Sequence, residues 1–266
     1  EETGVAPFPI KLDTAHPYRA ALRIIRDRVS QRLDGRRIGA VAHRIVHGGS
    51  RYFEPVRVDA QVLTDLQGYI PLAPLHQPFA LEAIDILLRE QPELPQVACF
   101  DTAFHATQPR VSTDYALPDS LRHQGLRRYG FHGLSYDYIS HQLAASDPSA
   151  GGRCIVLHLG SGASGCAMYK GKSVSSTMGF TALDGLMMAT RCGTLDPGLV
   201  LHCITHLGMS ASEVTSALYK SSGLLGVSGY SGDMRILEQH DDEPAVTHAL
   251  TLYCRYIVRA IGSLTA

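Results

Sequence analysis

The sequence runs to 266 residues, with 24 Lys+Arg against 25 Asp+Glu and a formal net charge of −1. At about 150 residues per domain, that length predicts one large domain or two ordinary ones. With 45% hydrophobic and 18% charged residues a sizeable core can form, which excludes wholesale disorder. Near-neutral charge supplies no global field for nucleic acid or an anionic membrane. No apolar run approaches the roughly 18 residues of a membrane span. Neither nucleic acid nor membrane is an expected partner.

Residues 17–33 (PYRAALRIIRDRVSQRL) space their apolar positions three and four apart, which predicts an amphipathic helix. RIGAVAHRIVHGG (37–49) is a β-branched run ended by two glycines, a strand with a turn after it. A helix over 79–90 (FALEAIDILLRE), a buried strand over 95–104 (PQVACFDTAF) and a helix over 134–145 (LSYDYISHQLAA) follow. The stretch SDPSAGG (146–152) is dense in turn formers and has the composition of a domain boundary. Beyond it, residues 153–177 read as strand, glycine loop, strand, KG turn and strand, an antiparallel meander. Helices are predicted at about 196–207, 210–220 and 244–262, with Ser210 as N-cap of the second and Glu213 completing a capping box. Strands followed by helices in two successive blocks make an α/β protein of two lobes.

The six cysteines are scattered, with no CxxC, so neither a zinc nor a redox motif forms from them. Set among apolar neighbours, as in VACFD, they read as ordinary buried or half-buried thiols in a reducing cytoplasm. Isolated charges that interrupt apolar text are more informative. Arg44 lies inside GAVAHRIVHGG, and Arg191 follows LDGLMMAT. A buried guanidinium is costly unless paired, so each arginine holds either an internal carboxylate or an anionic ligand. Asp101 ends the strand VACFD, where α/β folds place ligand-binding groups, or else caps the next helix. His132 sits between glycines in RRYGFHGLS, a packing residue on its own evidence. HLGSGAS (158–164) ends a strand in a glycine loop whose N–H groups suit phosphate oxygens, or make a plain β-turn; no GK[ST] follows it. HRIVH (43–47) has His-x3-His spacing, but lacks the glutamate of a zinc protease helix and any evident third ligand.

Taken together, these segments closely resemble the acetate kinase family, which moves a phosphoryl group between ATP and a short carboxylate. The matching text is AHRIVHGG (42–49), LAPLHQP (72–78), FDTAFH (100–105), RRYGFHG (127–133), HLGSGAS (158–164), SVSSTMGFTALDGLMMATRCGTLDPG (173–198) and SGLLGVSG (222–229). The resemblance implies a two-lobed, ribonuclease-H-like α/β fold of the actin and sugar kinase type. Lobes over 1–105 and 106–266 would close on a nucleotide cleft. It further implies that Arg44 and Arg191 clamp the carboxylate and the phosphoryl group, that Asp101 orients the arginines, and that His132 donates to the phosphoryl group. His158, Leu159, Gly160, Ser161 and Gly162 would meet the nucleotide phosphates, and Val46, Leu75, Phe131 and Ala182 would form the acyl pocket. Acetate and ATP as substrates, Mg2+ as the accompanying ion, a homodimer and a cytoplasmic location complete the implied picture.

Departures from the family pattern are specific. Its N-x-G-S-S-S-x-K phosphate loop and its FTAGIGEN-like adenosine segment have no counterpart, so the fold is expected to be incomplete at both ends and the chain to be a core of something longer. Ser161 replaces an asparagine, exchanging an amide donor for a shorter hydroxyl. Ala182 replaces a proline at the acyl pocket, which leaves room for a longer acyl chain. Gln77 for asparagine and Leu134 for threonine are milder changes. Alternatives are a propionate or butyrate kinase of the same family, or a non-catalytic fragment that keeps the fold.

Overall fold

The computed structural model describes residue 12 and residues 17–74, 76–147 and 151–266. Helix α1 (Pro17–Gln31) forms where the apolar spacing predicts it and buries none of its residues fully. It lies on α3 (Gln77–Glu90), with the Tyr18 ring stacked on Phe79 at 4.4 Å between centroids. Strand β1 (Val41–Ile45) pairs in parallel with β3 (Gln96–Phe100), and β2 (Val56–Arg57) runs antiparallel on the other side of β3. Both long strands are shorter than the apolar runs that contain them. β1 stops at Ile45 because the chain turns through His47–Gly49, and β3 stops where Asp101 leads into a short 3-10 turn, Ala103–Thr107.

Helix α2 (Ala60–Gln67) was not foreseen from sequence, although Asp59 caps it by accepting from the Val62 amide. Val62, Leu63 and Leu66 of α2 meet Leu81 and Ile84 of α3 on one face of the sheet, against Ile45, Ala98 and Phe100. That is the first core.

The 3-10 turn after β3 already packs on the second sheet. Two single-turn helices, α4 (Arg110–Thr113) and α5 (Asp119–Arg122), lead to α6 (Gly133–Ser146). Then β4 (Arg153–Leu159), β5 (Ala163–Tyr169) and β6 (Lys172–Ser176) make the antiparallel meander expected over 153–177. Lys170 and Gly171 both take left-handed backbone, the geometry a tight two-residue hairpin needs. Helices α7 (Pro197–Thr205), α8 (Ala211–Lys220), α9 (Gly223–Ser228), α10 (Met234–Leu237) and α11 (Pro244–Thr265) follow. α11 crosses β5 and β4 and packs on α9. The Ser210–Glu213 capping box on α8 is present in both of its bonds.

SDPSAGG falls partly outside the described residues. Cys254 departs from the expected burial of the cysteines: it sits on the open face of α11 and is exposed. Among the described residues no helix is long and apolar enough to cross a membrane.

Candidate active site

The two arginines resolve differently. Parallel pairing aligns Arg44 with Cys99, so its side chain reaches Asp101, two residues further on and just past the end of β3. Arg44 Nε donates to Asp101 Oδ1 at 3.0 Å and Nη2 to Oδ2 at 2.6 Å, a bidentate fork. The Asp101 side chain is 2% exposed, whereas that of Arg44 is 60% exposed. The premise of a buried Arg44 is therefore wrong: the carboxylate is buried, and the guanidinium is the lid over it. Asp101 does not cap the following turn with its side chain. Its bond to Arg44 raises the guanidinium pKa further.

Arg191 is the half-buried cation. Burial lowers its pKa, only Tyr219 among the described residues opposes that, and its Nη1 donates to the Ala182 carbonyl at 2.8 Å. Among the described residues no carboxylate neutralises it, so there the internal ion pair holds for Arg44 and fails for Arg191. An unpaired, half-desolvated guanidinium is a place for an anion.

His132 is the N-cap of α6 and has left-handed backbone, φ 59°. Gly133 lets this corner close on β3: its amide donates to the Asp101 carbonyl at 2.9 Å, and a Cβ there would stand 2.1 Å from that oxygen. His132 Nδ1 is 2.8 Å from Ser164 Oγ on β5, and its ring stacks on His158 of β4 at 4.1 Å between centroids. Burial, followed by His158, Arg44 and Arg191, pushes its pKa down to about 3, so the imidazole is neutral at pH 7. Its Nε2 faces Gly162: a Cβ added there would lie 3.3 Å from Nε2 and 3.6 Å from both terminal nitrogens of Arg191. One point in space thus collects the imidazole, the half-buried guanidinium and the glycine loop.

Within that loop the Ser161 carbonyl accepts from the Ala189 amide at 3.1 Å, which ties the loop to the segment bearing Arg191. Leu159, Gly160 and Ser161 are exposed. Val46 and Ala182 pack against Phe131, Ala163, Met178, Leu186 and Met188, so three of the four acyl-pocket residues share one apolar cluster. Leu75 lies outside the described residues.

Sequence reasoning missed His76, Tyr136 and Ser164, and passed over Gln77 as a mild change. His76 precedes α3, and both Arg191 and Arg44 help burial to lower its pKa, which places it in the same charge cluster. Buried Gln77 clamps His47 from both sides, accepting from its amide at 3.2 Å and donating to its carbonyl at 3.0 Å, and so sets the position of Val46. Both lie in the block LAPLHQP, whose content was the available signal. His43 bonds Gln96 at 2.8 Å, and His47 Nδ1 accepts from the Gly49 amide at 2.8 Å, so HRIVH serves packing. Among the described residues no three His, Cys, Asp or Glu side chains converge on a possible metal position.

The family model described as the acetokinase family matches residues 9–266. An acetate kinase of Rhodopseudomonas palustris is 53% identical over 232 residues, covering 86% of this chain and 58% of its own length. One of Rickettsia felis is 48% identical over 228 residues, covering 85% of this chain and 59% of its own. The chain therefore spans under two thirds of the curated relatives it matches. Among solved structures, a propionate kinase from Francisella tularensis superposes with a TM-score of 0.88 at 38% identity, over 93% of this chain and 65% of that one. The Porphyromonas gingivalis acetate kinase superposes with a TM-score of 0.80 at 35% identity, over 91% of this chain and 64% of that one. The fold is accordingly the two-lobed, actin-like α/β fold of those kinases, spanned in part.

Proposed function

The chain belongs to the acetokinase family, and from that premise we propose that the protein moves the γ-phosphoryl group of ATP to the carboxylate of acetate, reversibly and in line, giving acetyl phosphate and ADP. The observation that carries this reading is the half-buried Arg191, unneutralised by any described carboxylate, facing the same point as the neutral His132 Nε2. Acetate is already nucleophilic, so no proton need be removed. The work is to bring two anions together and hold them aligned while charge spreads over the equatorial oxygens. Arg191 offsets that repulsion, and His132 donates to an equatorial oxygen. Arg44, held by Asp101, presents its exposed face to the carboxylate. The methyl group faces Val46, Phe131 and Ala182, and backbone N–H groups of residues 158–162 meet the nucleotide phosphates. Mg2+ enters as the ion that nucleotide phosphates carry; the described residues build no protein cage for it.

A homodimer belongs to the same reading, supported by the exposed apolar side of α7. So does a cytoplasmic location, supported by six free cysteines. The division into lobes over 1–105 and 106–266 is supported by each sheet lying wholly within one range.

The test is acyl-hydroxamate formation from acetate, ATP and Mg2+ by the natural gene product. Arg191→Lys keeps the charge but loses the planar fork, and is expected to cost on the order of 10²–10³ in rate. Near-normal turnover of that variant overturns the clamp; silence of the unmodified protein overturns the kinase and leaves the non-catalytic reading.

Propionate is the second candidate substrate, favoured by Ala182 at the wall of the acyl cluster. Ala182→Pro is expected to lower propionate turnover relative to acetate, by about 10-fold for one methylene's worth of space. Equal acetate-to-propionate ratios in the two proteins count against it.

A further inference from the structure

Behind His132, away from the cleft, two hydroxyls end in a dead end. Ser164 Oγ has two partners, His132 Nδ1 at 2.8 Å and the Tyr136 hydroxyl at 2.6 Å. Tyr136 and Ser164 are each 0% exposed, so no bulk water completes their bonding. Ser164 has one proton and two lone pairs for its two partners, which leaves three arrangements. In one, His132 Nδ1–H and the Tyr136 hydroxyl both donate to Ser164, and the Ser164 proton has no acceptor among the described residues. In another, His132 Nδ1–H donates to Ser164, Ser164 donates to Tyr136, and the phenolic proton is left over. Among the described residues that phenol has no second side-chain partner, and the backbone amide of His158 acts on its oxygen as a donor. Either leftover proton would be a buried donor without an acceptor, which is costly. In the third arrangement every proton is used: the His158 amide faces the Tyr136 oxygen, Tyr136 donates to Ser164, and Ser164 donates to His132 Nδ1. The imidazole proton then sits on Nε2, which faces Gly162 and Arg191.

We propose that Tyr136 and Ser164 are positioning residues that fix His132 in the Nε2–H tautomer, so that it meets the reacting group as a neutral hydrogen-bond donor. The tautomer follows from the hydrogen bonds alone; its use in transfer rests on the phosphoryl-transfer reading above. Residues from four segments surround the ring and disfavour a second proton: His158 on β4, Arg44 on β1, Arg191, and His105 in the turn after β3. Asp101 is bound to Arg44 and does not reach His132 by any hydrogen bond among the described residues. An imidazole that cannot hold its proton on Nδ1 cannot turn its lone pair toward an incoming anion. That is the function of the relay.

The experiment is a long-range 1H–15N spectrum of the 15N-histidine-labelled protein at pH 7, with the His132 signals assigned by their loss in His132→Asn. A protonated and an unprotonated imidazole nitrogen resonate far apart, so the spectrum reports the tautomer directly. The expected result is protonated Nε2 and bare Nδ1 in the unmodified protein and in Ser164→Thr, which keeps the hydroxyl. Ser164→Ala and Tyr136→Phe are expected to show averaged shifts from a tautomer mixture. A proton on Nδ1 in the unmodified protein, or an unchanged pure Nε2–H form in both relay variants, overturns the proposal. If Ser164→Ala does not fold, the unmodified spectrum and Tyr136→Phe still decide it. In the hydroxamate assay, Ser164→Ala is expected to lose about 10-fold in kcat, the worth of one hydrogen bond, with KM for acetate and ATP nearly unchanged and Ser164→Thr restored. An inactive protein with the expected tautomer overturns the kinase and supports the relay. An active one with Nδ1–H does the reverse.

Discussion

Arg44 and Arg191 are the same residue type in similar apolar text, yet they have opposite physical situations. Arg44 is neutralised by Asp101 and open to solvent; Arg191 is half-desolvated, held by the Ala182 carbonyl, and free to take an anion. The point that both Arg191 and His132 face is kept empty by Gly162. A methyl group there would meet them at 3.3–3.6 Å, which is tight but requires no unusual backbone. Gly162→Ala is therefore expected to fold with its melting temperature changed by no more than a few degrees, yet to displace the reacting group and lose on the order of 10² in kcat. Steady-state hydroxamate kinetics beside a thermal melt separate the two effects. Unchanged kcat would mean that the reacting group sits elsewhere.

Elements differ in what holds them. α6 starts at a strained histidine and a glycine pinned to β3, so its position is set by the sheet and not by its own amphipathicity. α8, by contrast, carries its own stop and start in the Ser210–Glu213 box. α7, like α1, buries none of its residues, and its Leu199 and Leu201 are 50% and 62% exposed, with Leu207 just beyond at 62%. Leaving that much apolar surface in water forgoes about 1 kcal/mol per side chain, roughly half the worth of full burial. If α7 lies in a homodimer contact, Leu201→Glu is expected to shift the sedimenting mass from two chains to one. An unchanged mass would remove α7 from the contact.

At the scale of the whole molecule, two buried histidines, His47 and His105, and the half-buried His132 lose solvation on folding, which lowers their pKa values to about 4, 4 and 3. His105 is a bolt between the halves: its ring bonds Ser173 on β6 at 2.9 Å and the Phe131 carbonyl at 2.9 Å. Each of these groups is neutral when folded and takes up a proton near pH 6.5 when unfolded. Below that pH the unfolded state binds more protons, so stability falls as pH drops from about 6.5 towards 4, by up to about 1.4 kcal/mol per pH unit per histidine. Urea denaturation at pH 7 and pH 5 checks this, and equal midpoints would show that the histidines are not held neutral. Above pH 7 these three groups add no further dependence.

Much of the fold was legible in the sequence for a local reason: periodicity, turn residues and caps act within a few residues, so α3, the β4–β6 meander and the α8 cap could be read directly. β2 and α2 were not, because their short segments bury residues against strands far along the chain. Residue identity likewise determined the chemistry available, two arginines, an aspartate, a histidine and a glycine loop, together with family membership. Which arginine is neutralised was decided only by the parallel register of β1 on β3. The proton position on His132 depends on hydroxyls 4 and 32 residues away, brought behind it by α6 and β5. Pairing across strands and burial from water are properties of the packed molecule, and they set charge and tautomer, which no linear pattern encodes.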